Sequence, residues 1–127
     1  MRNGRRLSGF TMIELLVALA IVGLIVSLAA PRYFSNLDRA REDVLREDLY
    51  VLRDAIDKYY SDRNRYPNEL ADLVNGRYLR KIPVDPFTQS AKSWVVVAPE
   101  DPTLGAVANV RSGAANTARD GSSLQEW

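Results

Sequence analysis

The 127-residue chain contains no cysteine and no histidine. Their absence removes disulfides, thiol nucleophiles, imidazole bases and the ordinary zinc ligands together. Net charge is nearly absent as well: 17 Lys and Arg stand against 16 Asp and Glu, a formal balance of +1. Nucleic-acid binding calls for a basic stripe or patch, and the balance gives no general case for one. There is also no Gly-rich phosphate loop, no Ser-His pair and no carboxylate pair in a recognisable motif, so enzyme is the weakest functional class. The length allows one small domain.

What the chain does have is a long apolar run. From Phe10 to Ala30 it is about 21 residues, roughly 30 Å as a helix, enough to cross a bilayer core. Arg2, Arg5 and Arg6 stand before it and nothing basic follows until Arg32. That asymmetry keeps the N-terminus in the cytoplasm and sends the remainder across the membrane. Glu14 does not fit a plain anchor. A carboxylate near the head of such a run is costly in lipid unless paired, so it points to a functional residue with a partner. The alternative is that Glu14 reaches back to interfacial water. Ala29-Ala30-Pro31 is a poor secretory cleavage site, because Pro would follow the cut directly.

Gly9-Phe10-Thr11-Met12-Ile13-Glu14-Leu15-Leu16-Val17 resembles the prepilin signal of type IV pilins and of the pseudopilins of type II secretion. In that family a short basic leader ends in Gly, Phe follows, and Glu is the fifth residue of the mature chain. Gly9, Phe10 and Glu14 fill those places. The resemblance implies cleavage between Gly9 and Phe10 by a prepilin peptidase, and N-methylation of Phe10. It divides the chain into a leader at 1–9, a transmembrane and filament-core helix at 10–30, and a periplasmic globular domain at 31–127. Removal of Met1 to Gly9 takes away three Arg and leaves 14 basic against 16 acidic side chains, a balance of −2. It also creates an ammonium at Phe10. In a filament of parallel helices, the Glu14 carboxylate of one subunit would meet that ammonium on its neighbour, a pair that is strong in low dielectric.

Beyond the run, Pro31 is expected to bend a continuing helix. Gly23 in mid-span suits either close helix packing or a segment that stretches during assembly. From Arg32 to about Ser61, Leu45, Leu49, Leu52, Ile56 and Tyr59 follow at offsets of four, three, four and three, one stripe on a helix face. The other faces are densely charged, with Glu42 and Arg46 placed as an i,i+4 pair. Pro67 extends Tyr66 and closes the helix. Asn68 is placed as the N-cap of a short helix, Glu69 to Val74, ended by Asn75-Gly76. A Tyr-Pro at the end of the long helix is a further point of resemblance to pseudopilins.

Ile82-Pro83-Val84-Asp85-Pro86-Phe87 is too rich in proline for a helix or a central strand. It resembles the Pro-x-Asp-Pro-aromatic element of the major pseudopilin, although Thr88-Gln89-Ser90-Ala91 replaces the usual Gly-Asn-Pro-Tyr. From the residues alone, Asp85 is a turn carboxylate. Trp94 to Val97 and Ala106 to Arg111 are expected as antiparallel strands joined by Pro99 to Gly105, with a third strand near Lys81 or the C-terminus. Together these give an α+β, type IV pilin-like fold, a long N-terminal helix packed on a small antiparallel sheet.

Ser112 to Ser123 is small and polar, hence loop, and Leu124 and Trp127 are placed to pin it to the domain. Major pseudopilins hold calcium in a C-terminal loop, and the resemblance offers Asp120 and Ser122 as ligands here. One carboxylate is thin for a cation wanting six to eight oxygens, and Asp120-Gly121 suits an ordinary turn equally.

The leading function is a structural subunit of a type II secretion pseudopilus. It would polymerise through its N-terminal helix to drive protein export across the outer membrane. The resemblance implies as partners further copies of the chain, minor pseudopilins, the prepilin peptidase, and an inner-membrane platform with its ATPase. The alternative is a type IV pilus subunit for adhesion, motility or DNA uptake. A DNA-binding surface would have only Arg77, Tyr78, Arg80 and Lys81 to use, a short cluster better suited to a solvated turn, so no nucleic-acid partner is expected. A third possibility is an uncut anchored domain that forms no polymer.

Overall fold

The computed structural model describes residues 9–127. By backbone contacts the chain divides into two compact units, Met1–Leu37 and Asp38–Trp127. The leader at 1–8 lies outside the described residues.

Helix α1 spans Met12–Arg63 and is assigned as helix throughout, Pro31 included. In the first unit every side chain from Met12 to Ala29 is exposed. The Ser27 hydroxyl donates to the Gly23 carbonyl at 2.7 Å, so the one hydroxyl in mid-span is satisfied within its own turn. In the second unit the expected stripe is the core: Leu45, Leu49, Leu52, Ile56 and Tyr59 are buried, joined by Ala55 and Glu42. α1 ends where Asn64 takes a left-handed φ of 55° and donates from its backbone to Tyr60 O. Asn tolerates that conformation and serves as a helix C-cap.

The short helix α2 covers Ala71–Asn75, two residues later than its expected start. Asn68 does not cap it. Instead Asp72 reaches back with Oδ2 to accept from the backbone N–H groups of Asn68 and Glu69. Strands β1 (Val95–Val97) and β2 (Asn109–Arg111) pair antiparallel with Val96 opposite Val110, and both are shorter than their sequence signals. The expected third strand does not form. Isolated bridges at Asp85–Ser90 and Thr117–Ser123 stand in the two regions proposed for it. Proline at 83 and 86 and small polar residues after Ser112 leave too little β propensity for a ladder.

The cover over the α1 stripe is therefore assembled largely from loops. Leu73, Trp94, Val107, Val110, Ala114, Ala118 and Leu124 are buried with it. Backbone close approach makes this possible at Gly105, whose φ is 132° and where a Cβ would collide with the Tyr66 carbonyl. Tyr66 N–H donates to Leu104 O, and Pro67 O accepts from Ala106 and Val107. The 104–107 segment is thus tied to the end of α1.

Candidate functional site: the head of α1 and the C-terminal loop

Gly9, Phe10 and Thr11 precede α1 without regular structure, and the Phe10 side chain is 92% exposed. An irregular, open backbone is what a peptidase needs around a scissile bond. One turn on, Thr11 and Glu14 form a reciprocal capping box. Glu14 N–H donates to Thr11 Oγ1 at 3.1 Å, and Thr11 N–H donates to Glu14 Oε2 at 3.3 Å. Two of the orphan N–H groups at the helix start are satisfied this way. The Thr-x-x-Glu spacing is plain in the sequence, but Glu14 is read there for a partner in another subunit or for interfacial water, not for a cap. The box is exposed and engages only one Glu14 carboxylate oxygen among the described residues, which leaves Oε1 open.

The apolar window behind this box is long and apolar enough to cross a membrane by length and composition, and none of it is buried within the chain. An added Cβ at Gly23 would meet nothing within 4 Å. The first unit therefore offers a continuous apolar surface headed by one carboxylate.

At the other end of the sequence, Asp120 Oδ1 accepts from the Ser122 backbone N–H at 2.9 Å and from its hydroxyl at 2.6 Å. These bonds, hydroxyl first, hold the Asp120 carboxyl below its ordinary value near 3.8, with Arg46 adding to the effect. Ser122 Oγ in turn accepts from Trp127 Nε1 at 2.8 Å. The carbonyls of Asn116, Ala118 and Ser122 accept from Leu124, Gly121 and Ala118 respectively. Asp120 Oδ1, Ser122 Oγ and these three carbonyls thus already accept hydrogen bonds. Among the described residues, no group of three or more acidic, His or Cys side chains could hold a metal. A hard cation wanting six to eight oxygens does not fit this donor set.

Sequence reasoning missed what lies beneath this loop. Glu42 does not pair with Arg46. It is 7% exposed and accepts from the Arg119 backbone N–H at 2.8 Å, with Arg119 Nε at 3.4 Å. Arg46 instead stacks over the Trp127 ring, 4.4 Å from its centroid. Arg53 joins three segments, donating to Asn109 Oδ1 at 2.9 Å, Val110 O at 3.1 Å and Trp127 O at 2.6 Å. No local pattern marks these residues, whose partners lie 56 to 81 positions away.

Asp85 is fully buried and behaves as the expected turn carboxylate toward the Phe87 and Thr88 N–H groups. It also accepts from Ser112 Oγ at 2.5 Å, which ties the proline-rich element to the strand β2 exit. In the basic cluster, the Tyr78 hydroxyl donates to Asp62 at 2.7 Å and its ring packs on Tyr59. The aromatic of that cluster is committed to the domain.

An open Gly-Phe junction, a carboxylate-capped apolar helix and a small α+β domain define the type IV pilin-like class. Residues 4–30 match the prokaryotic N-terminal methylation motif. Type II secretion system core protein G of Aeromonas hydrophila is 34% identical over 99 residues, covering 65% of this chain and 69% of that protein. The proteins of the same name from Pseudomonas aeruginosa and Klebsiella pneumoniae are 33% and 32% identical, and the matches cover 70% and 71% of them. The chain belongs to this family, the major pseudopilins. No solved structure matches it significantly.

Proposed function

We propose that the chain is a structural subunit of a type II secretion pseudopilus. It sits in the inner membrane as a single-pass protein with residues 31–127 in the periplasm, and it is drawn from there into a periplasmic filament. The observation that carries this reading is the exposed apolar surface of Met12 to Ala29, which has no partner among the described residues of its own unit. Lipid supplies that partner before assembly and neighbouring copies supply it afterwards. Head-to-tail repetition of such a contact is heterologous and propagates a helical polymer.

Cleavage between Gly9 and Phe10 frees the ammonium that a neighbour's Glu14 meets, and methylation of Phe10 leaves that nitrogen positively charged. A peptidase, minor pseudopilins, an assembly platform and its ATPase act on the chain, which itself performs no catalysis. The polymer drives export of folded proteins across the outer membrane.

The intact mass and N-terminal fragment spectrum of protein extracted from its native membrane test the processing step. The expected chain begins at methylated Phe10. An unprocessed start at Met1, in cells with an active prepilin peptidase, overturns the reading. Glu14→Ala is expected to be cleaved normally yet to abolish filaments in an assembly assay, and normal filaments from this variant would remove the role given to the carboxylate.

A further inference from the structure

The C-terminal loop presents hydrogen-bond donors where a metal-bound loop would present free oxygens. Asp120 Oδ1 is met by two donors of Ser122, and Ser122 Oγ by the indole N–H of Trp127. A divalent cation at Asp120 Oδ1 would compete with both Ser122 bonds, and the carbonyls of Asn116, Ala118 and Ser122 already accept. Cross-linking of this loop to α1, the task a cation would serve, is done by other groups. Arg53 spans α1, β2 and Trp127 O with three bonds. Arg46 lies on the Trp127 ring, and Glu42 holds Arg119. Glu42 and Arg46 lie one turn apart on α1 and Arg53 two turns further on, all meeting the same returning segment.

We propose that this clasp, Trp127 seated on Arg46 and Arg53 with Arg119 seated on Glu42, takes the place of a calcium ion, so that the domain closes and stays closed without one. A guanidinium is a permanent cation with five directional donors. It supplies both the positive charge and the bridging geometry that a loop rich in carbonyls requires. The indole face adds a cation–π contact with Arg46. Closure is then independent of the calcium concentration outside the cytoplasm.

The test uses the full chain in detergent micelles, with the thermal unfolding midpoint recorded in excess calcium and in excess EGTA. A cation that binds only the native state raises the midpoint as its concentration rises. The expected result is the same midpoint in both conditions, with Trp127→Ala lowering it by at least about 5 °C in each. Should Trp127→Ala fail to fold, Arg46→Gln serves, with a smaller drop that is again equal in calcium and in EGTA. A higher midpoint in calcium that disappears in Asp120→Asn would overturn the proposal. So would midpoints of Trp127→Ala and Arg46→Gln both equal to that of the parent chain.

Discussion

Between Leu15 and Leu28 every large apolar side chain of α1 is more than half exposed, whereas between Leu45 and Tyr59 the same helix buries five of them almost completely. The difference lies in the pattern. The first stretch is apolar on all faces, so no single face can be satisfied by one small partner layer. The second confines its apolar residues to a stripe that a layer from the same chain can cover. The comparison teaches that a continuous helix can carry two kinds of incompleteness. One is resolved within the chain; the other is left open among the described residues, in a stretch long and apolar enough to cross a membrane.

The largest effect expected from breaking this contrast is at Leu52. Leu52→Ala should cost about 2–5 kcal/mol in a chemical-denaturation experiment on the detergent-solubilised chain. Leu19→Ala should leave that transition unchanged, and its effect should be read in membrane extraction or filament assembly. Equal losses of domain stability from both variants would erase the distinction. Asp85 comes next. Asp85→Ala strands the Ser112 hydroxyl and two backbone N–H groups, with an expected cost of about 2–3 kcal/mol, against about 1 kcal/mol for Ser112→Ala.

The smallest effect concerns Asp48, whose carboxyl is raised above its usual value by burial first, then by the charges of Asp85 and Glu47. A raised folded-state value means that the native state favours the protonated acid. That contribution is present below the unfolded value near 3.8 and lost as pH rises through the folded one. Asp48→Asn should therefore stabilise the domain at neutral pH, by at most about 0.5 kcal/mol given solvent screening. The gain should vanish in acid, and unfolding curves across that range would show it. A gain that persisted in acid would assign the effect to something other than ionisation.

Local periodicity and motif spacing made much of this legible beforehand. α1 ends at Arg63 on the left-handed Asn64 rather than at Tyr66-Pro67, but the Leu45–Tyr59 stripe, the strand within Trp94 to Val97 and the turn role of Asp85 all rest on contacts within a few residues or on intrinsic propensity. So does the Gly9-Phe10-Glu14 signature. The misses share a different origin. Glu42, Arg46 and Arg53 sit on what looks like a solvated helix face, and only the returning segment around 109–127 reveals their partners. Asn68 was an acceptable cap by residue type, but Asp72 reaches back to the N–H groups of Asn68 and Glu69 with a full charge, and the helix starts later. The third strand was inferred from the weakness of two-stranded sheets. Here a loop cover, anchored by side chains, supplies the burial that a further strand would have given.

The same anchoring has a consequence for when the domain can fold. Leu45 and Leu49 are sealed by groups that include Ala118 and Leu124, and the bonds that fix them close loops of 74 and 77 residues. Contacts of such sequence separation form late, because the chain entropy of closure is lost before they contribute. The stripe on α1 is therefore expected to stay open until the segment through Trp127 has been made and has returned to it, which sets the time at which the whole domain can close.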